Sequence, residues 1–189
     1  TCLHRGCIPS KALLRSAEVY ATAGRSEDFG VITKGLTLDY GKAHERKRNI
    51  IKQLHQGVKG LMKKGKIDVI EGTGRILGPS IFSPQSGTIS VERANGEENQ
   101  MLVPKYVLVA TGSQPRTLPG LEIDGKSVIT SDEAVNLEVL PDSLIIVGGG
   151  VIGIEWASMF SDFGVDVTIL EYAERILPAE DGDISREAE

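Results

Sequence analysis

Ser143-Leu144-Ile145-Ile146-Val147 runs directly into Gly148-Gly149-Gly150-Val151-Ile152-Gly153, and no other stretch of the 189 residues limits the fold so tightly. An apolar run without alternation suits a strand buried on both faces of a parallel sheet. The spacing G-x-G-x-x-G behind it asks for a tight turn, an open backbone and close packing of a helix on the strand. Ile154 to Phe163 supplies that helix, and Val165-Asp166-Val167-Thr168-Ile169-Leu170 a second strand. A helical crossover joins parallel strands, so the chain is expected to be α/β and Rossmann-like.

The same residues point to a ligand. Gly148 permits the turn, Gly150 lets backbone approach a pyrophosphate, and Gly153 brings helix against strand, with the helix N-terminus holding the phosphates. Glu171 ends the second strand, 23 residues beyond Gly148. Its carboxylate accepts from a ribose diol and repels an added phosphate, which favours NAD over NADP. Glu155, near the helix start, would orient the nicotinamide side. The bland alternative is a buried glycine turn with an incidental glutamate.

At the other end, Thr1-Cys2-Leu3-His4-Arg5-Gly6-Cys7-Ile8-Pro9-Ser10-Lys11 sets two cysteines around one turn. Closing so short a loop stabilises a fold comparatively little, whereas two neighbouring thiols suit thiol–disulfide exchange. Pro9 fits the first turn of a helix, and the good helix formers that follow put Cys7 just before that helix. The helix dipole there favours a thiolate. Gly6 eases the bend that the pair needs. Inert buried thiols are the alternative; Cys2, His4 and Cys7 fall short of the four ligands of structural zinc, and no metal is expected.

The stretch from Lys42 to Lys66 reads as the solvated face of a helix, and His44 and His55 as part of its charged outer surface. His4 reads as a solvent-facing loop residue, and no histidine is assigned to catalysis. With 21 basic and 26 acidic side chains, the net charge of −5 gives no reason to expect nucleic acid or anionic lipid as a partner. No apolar run reaches the ~20 residues of a membrane span.

Between the two motifs, Ser26 to Asp39 reads as a loop with an extended piece at Phe29 to Thr33. A helix from Tyr40 to about Lys64 carries an apolar stripe of Ile50, Ile51, Leu54, Val58, Leu61 and Met62, and Gly65 ends it. Ile67 to Ile70 reads as a strand. Short strands follow at Arg75-Ile76-Leu77, Ser80-Ile81-Phe82-Ser83 and Thr88-Ile89-Ser90-Val91, antiparallel to one another. Tyr106 to Ala110 reads as a strand buried on both faces, ending in Thr111-Gly112-Ser113, where ligands gather in open α/β sheets. Pro115, Pro119 and Gly120 mark a crossing segment, and Ser131-Asp132-Glu133-Ala134 a capped short helix.

Cys2 to Lys11 resembles the redox-active motif of the flavin disulfide oxidoreductases, and together with Gly148 to Glu155 the whole chain resembles the dihydrolipoyl dehydrogenase family. Met62 to Asp68, Gly74 to Val91 and Gly148 to Phe163 resemble the bacterial form serving the branched-chain 2-oxo acid dehydrogenase complex. The resemblance implies that Cys2 exchanges with a dithiol substrate and Cys7 contacts flavin. It also implies FAD at Lys11, Gly74, Thr111, Gly112 and Ser113. NAD is implied at Gly148, Gly149, Gly150, Val151, Ile152, Gly153, Ile154, Glu155 and Glu171.

On that likeness, 1–115 is a partial FAD-binding domain with the disulfide helix and a β-meander, 116–140 a linker, and 141–189 a partial NAD-binding domain. The chain is read as a fragment, inactive alone, of a cytoplasmic homodimer that oxidises protein-bound dihydrolipoamide. Its implied partner is the lipoyl domain of a 2-oxo acid dehydrogenase acyltransferase. The family's first glycine fingerprint for FAD and its His/Glu proton-transfer pair do not occur in this sequence. Rival readings are a related disulfide reductase acting on glutathione or a metal ion, and a dinucleotide-binding redox sensor without turnover.

Overall fold

Two strands and the helix between them form one strand–helix–strand unit. β4 (Ser143–Val147) and β5 (Asp166–Leu170) pair in parallel, Ser143 opposite Asp166 and Val147 opposite Leu170, and α5 (Val151–Asp162) makes the crossover. A computed structural model describes residues 1–79, 87–93, 96 and 98–189. They pack as two units, one of Thr1–His55 with Ser113–Glu189 and the other of Gln56–Gly112.

In the first unit, α1 (Cys2–Arg5) is one helical turn and α2 (Cys7–Gly24) a long helix. Leu13 and Ala17, one turn apart on α2, are fully buried, and they join Trp156, Met159 and Phe160 of α5 in one core. Trp156 and Phe160 stack at 5.7 Å. The i, i+4 spacing on both helices makes the two faces meet. α4 (Ser131–Ala134) is capped by Thr130, whose hydroxyl accepts from the Asp132 N–H while the Glu133 carboxylate accepts from the Thr130 N–H and hydroxyl. Three hydrogen bonds at one turn of helix explain how so short an element stands. α6 (Gly182–Ala188) follows β5.

β4 differs from the doubly buried strand expected of it. Leu144 and Ile146 pack on the core, whereas Ile145 is 64% and Val147 52% exposed. One helix covers one face of a two-stranded sheet, and the apolar character of the other face is uncovered.

α3 (Tyr40–Lys64) has the expected bounds but a different inner face. Its first two turns enter the core through Tyr40, Ala43, His44 and Lys47, while Leu54, Val58 and Leu61 of the expected stripe are exposed. His44 and Lys47 are therefore not on a charged outer surface: they are 3% and 2% exposed. Tyr40 lies edge-on to Phe163 at 5.4 Å, which draws this end of the helix inward. Lys47 Nζ is satisfied by the Val135 carbonyl, by Asn136 Oδ1 at 3.4 Å and by His44 Nδ1 at 3.2 Å. The helix stops at Lys64 as expected, yet the left-handed residue is Lys66 (φ 53°), with Ile67 N–H returning to the Met62 carbonyl at 3.0 Å. The segment expected to extend at Phe29 to Thr33 instead begins inside a 3-10 turn, Ser26–Phe29.

The second unit holds an antiparallel meander. β1 (Thr73–Ile76) pairs with β2 (Ile89–Glu92), Gly74 opposite Val91, and β2 with β3 (Gln100–Leu102). The strand expected at Ser80 to Ser83 lies outside the described residues. Ile67 to Ile70 is not a strand, and neither is Tyr106 to Ala110, where Tyr106 and Leu108 are 82% and 91% exposed. A strand exists only where a neighbour takes its N–H and C=O groups, and no described strand flanks either run. Propensity without a partner leaves them irregular.

Candidate functional site

The two cysteines flank one peptide turn. The Arg5 N–H closes α1 on the Thr1 carbonyl at 2.9 Å, Gly6 caps α2, and Cys7 is the first residue of that helix. The Cys2 Cα lies 3.4 Å from where a Cβ on Gly6 would stand, so the chain folds back closely on itself. Both thiols are free and exposed. The Cys2 thiol titrates above its ordinary range, first because it is hydrogen-bonded to Cys7, then through desolvation and the charge of Cys7. The Cys2 thiol therefore keeps its proton more tightly than an ordinary cysteine.

Three contacts fix this turn in place. Ser113 donates its N–H to Thr1 Oγ1 at 2.9 Å, Arg5 Nη1 meets Asp132 Oδ2 at 3.1 Å, and Arg46 Nη1 donates to the Ala12 carbonyl at 2.8 Å. No local pattern signals these pairings, since each joins residues remote along the chain. His4, expected in a loop, is in α1, and its ring lies 5.0 Å from that of His55.

One turn beyond Cys7 on the same face, Lys11 Nζ contacts Glu155 Oε1 of α5. Glu155 stands one turn into the helix that the glycine motif opens. Gly148 has φ 113°, a conformation that residues with a Cβ rarely adopt, and a Cβ on Gly153 would stand 2.0 Å from the Gly148 carbonyl oxygen. Both positions demand glycine. Gly150 caps α5, and nothing lies within 4 Å of where its Cβ would be. Val151 and Ile152, the first residues of α5, are exposed beside this backbone without side chains. This is a cradle suited to a phosphate pair.

Glu171 closes the other side of the turn. Its Oε2 accepts from the Gly149 N–H at 2.6 Å and its Oε1 from the Ala173 N–H at 2.7 Å. These bonds, Ala173 first, hold its carboxyl below the usual range. A carboxylate offers about four acceptor sites, which leaves room for a ribose diol. The segment after Glu171, unnoticed in the sequence, braces the turn. Leu177, itself left-handed at φ 47°, donates its N–H to the Gly149 carbonyl at 2.7 Å, and buried Ser185 accepts from Arg175 Nη1 at 3.1 Å.

The first unit thus contains Cys2, Cys7, Lys11, Glu155, the glycine turn Gly148 to Ile154, Glu171 and Ser113. Gly74, Thr111 and Gly112 belong to the second. There Gly74 sits in β1, and Gly112 has φ 88°. Among the described residues no group of three or more His, Cys, Asp and Glu side chains is arranged for a metal ion, and no helix is long and apolar enough to cross a membrane.

A thiol pair and a dinucleotide turn on two packed helices is a combination with relatives. The description of the pyridine nucleotide-disulphide oxidoreductases matches residues 1–189. The chain belongs to that family. Family members similar to it include a dihydrolipoyl dehydrogenase of Bacillus subtilis, 69% identical over 189 residues, all of this chain and 40% of the relative. One of Chlorobaculum parvum is 43% identical over 184 residues, 97% of this chain and 38% of the relative. Among solved structures, LpdA of Mycobacterium tuberculosis aligns with a TM-score of 0.86 at 27% identity, over 98% of this chain and 39% of that one. RclA of Escherichia coli, described as an HOCl-induced flavoprotein disulfide reductase, aligns with a TM-score of 0.75 at 31% identity, over 100% and 37%. The chain therefore spans about 40% of the length of its curated relatives, and the α/β architecture is that of disulfide oxidoreductases binding FAD and NAD(P).

Proposed function

We propose that this chain is part of a dihydrolipoyl dehydrogenase, a flavin disulfide oxidoreductase that oxidises protein-bound dihydrolipoamide and reduces NAD. The observation that carries the reading is the Lys11–Glu155 contact, which ties the helix bearing Cys7 to the helix bearing the dinucleotide turn. The names of the relatives support the substrate. In the domains of the whole enzyme, 1–115 contributes to FAD binding, 116–140 links, and 141–189 contributes to NAD binding.

The residues divide the work. In the oxidised pair, a substrate thiolate attacks Cys2 and displaces Cys7 as thiolate; the second substrate sulfur then attacks the mixed disulfide, and lipoamide leaves with Cys2 reduced. The raised proton affinity of Cys2 suits its release as a thiol. FAD, when bound, would supply a two-electron acceptor and NAD a hydride acceptor. Lys11, Gly74, Thr111, Gly112 and Ser113 are the residues of this chain that would hold FAD. Gly148 to Glu155 would hold the NAD pyrophosphate and nicotinamide side, with Glu171 on the ribose, and the open Gly150 cradle fits that group. The reading includes a cytoplasmic homodimer whose partner is the lipoyl domain of a 2-oxo acid dehydrogenase acyltransferase, that of the branched-chain complex in particular.

The test is NADH formation from dihydrolipoamide by the complete FAD-loaded enzyme. Cys2→Ser and Cys7→Ser should each lower kcat by at least ~10³-fold, the scale of losing a covalent nucleophile. Near-normal turnover in either variant overturns the proposal.

A further inference from the structure

Each half of the thiol pair is held, through a different intermediary, by two adjacent residues of α3. Arg46 Nη1 bonds the Ala12 carbonyl of α2, the helix that begins at Cys7. Lys47, 2% exposed, caps the far end of α4 at the Val135 carbonyl and Asn136 Oδ1. The near end of α4 carries Asp132, which grips Arg5 at 3.1 Å, and Arg5 ends the turn that begins at Cys2. α4 itself is stiffened by the Thr130–Glu133 capping box. The chain of contacts runs from Lys47 through α4 and Asp132 to Arg5 and Cys2, while Arg46 holds the Cys7 side.

From this geometry we propose that Arg5, through Asp132, is a positioning residue that fixes the spacing of Cys2 and Cys7 and so sets their dithiol–disulfide equilibrium. The inference rests on the pair being the redox centre proposed above. Oxidation breaks two S–H bonds, forms one S–S bond and releases two protons and two electrons; with trans-4,5-dihydroxy-1,2-dithiane as oxidant, these convert that cyclic disulfide to dithiothreitol. A clamp that holds the reduced turn near its bonded geometry removes splayed dithiol conformers, which raises the effective concentration of one thiol at the other. The disulfide gains little freedom when the clamp is cut, because the S–S bond already ties the turn. Loss of the clamp therefore favours the dithiol.

Arg5 also carries a charge, and the clamp must be separated from a plain field effect. Neutralising Arg5 and neutralising Asp132 change the local potential with opposite signs, so a field effect moves the equilibrium in opposite directions. A clamp needs both partners, so either loss moves it the same way.

The experiment equilibrates the complete FAD-loaded enzyme, wild type, Arg5→Gln, Asp132→Asn and the double variant, in dithiothreitol redox buffers at one pH. Cys2 and Cys7 are read by alkylation and mass spectrometry. Both single variants are expected to shift the equilibrium roughly two- to fivefold toward the dithiol, the scale of a partly exposed ion pair, with the double variant no further than either single one. Opposite shifts, additive shifts or none overturn the clamp. If the wild-type pair forms no disulfide in any buffer, the proposed redox function fails, and this inference with it.

Discussion

Glu171 shows how a single side chain serves two ends. Its two oxygens hold the Gly149 and Ala173 N–H groups, so the same two bonds both place the carboxylate and keep it ionised. Glu171→Ala is expected to narrow the preference for NAD over NADP by roughly ten- to a hundredfold in kcat/KM, the worth of one or two charge-assisted bonds. Unchanged selectivity in the complete enzyme would remove Glu171 from the site. The backbone roles of Gly148 and Gly153 were legible from spacing, because a turn of this kind admits few geometries: Gly153 meets the Gly148 carbonyl and Gly148 is left-handed. Arg5, Asp132, Arg46 and Leu177 were not legible, since their partners are set by the tertiary fold and not by local pattern.

At the scale of the element, α3 is the instructive case. Its ends were readable from helix periodicity and a terminal glycine, but its inner face was not. An apolar stripe records what a helix is able to bury, and Leu54, Val58 and Leu61 find no cover among the described residues. His44 and Lys47 go inside because Tyr40 draws the first turns onto Phe163 and because the α4 carbonyl end accepts the ammonium. That burial has a pH consequence. Desolvation first, and then Lys47 and Arg48, lower the His44 pKa from 6.5 to about 4. Above pH 6.5 both folded and unfolded states hold His44 neutral. Between 6.5 and about 4 only the unfolded state takes the proton, so stability falls as pH falls through this window. Urea unfolding of His44→Gln against pH should show a flatter slope there than the wild type; an identical slope would mean that His44 titrates freely in the fold.

For the whole molecule, the α/β class and the parallel strand pair followed from one motif, while the uncovered Tyr106 to Val109 run shows that hydrophobicity specifies a strand only together with its neighbour. The first unit is discontinuous, and its core joins α2 to α5 across the intervening residues. Leu13, fully buried at that junction, should cost about 2–5 kcal/mol when replaced by alanine. Trp156 lies in the same core and is the chain's single tryptophan, so its emission should shift to the red at lower urea in Leu13→Ala; an unmoved midpoint would deny that the two segments form one core. Discontinuity also sets an order in time. Arg5 and Asp132 lie 127 residues apart, and Lys11 and Glu155 144. Synthesis delivers some 5–20 residues per second, so the cysteines leave the ribosome many seconds before the segments that anchor them. During that interval they are exposed thiols on an unfinished polypeptide, and the redox buffer around the nascent chain decides whether they keep to each other.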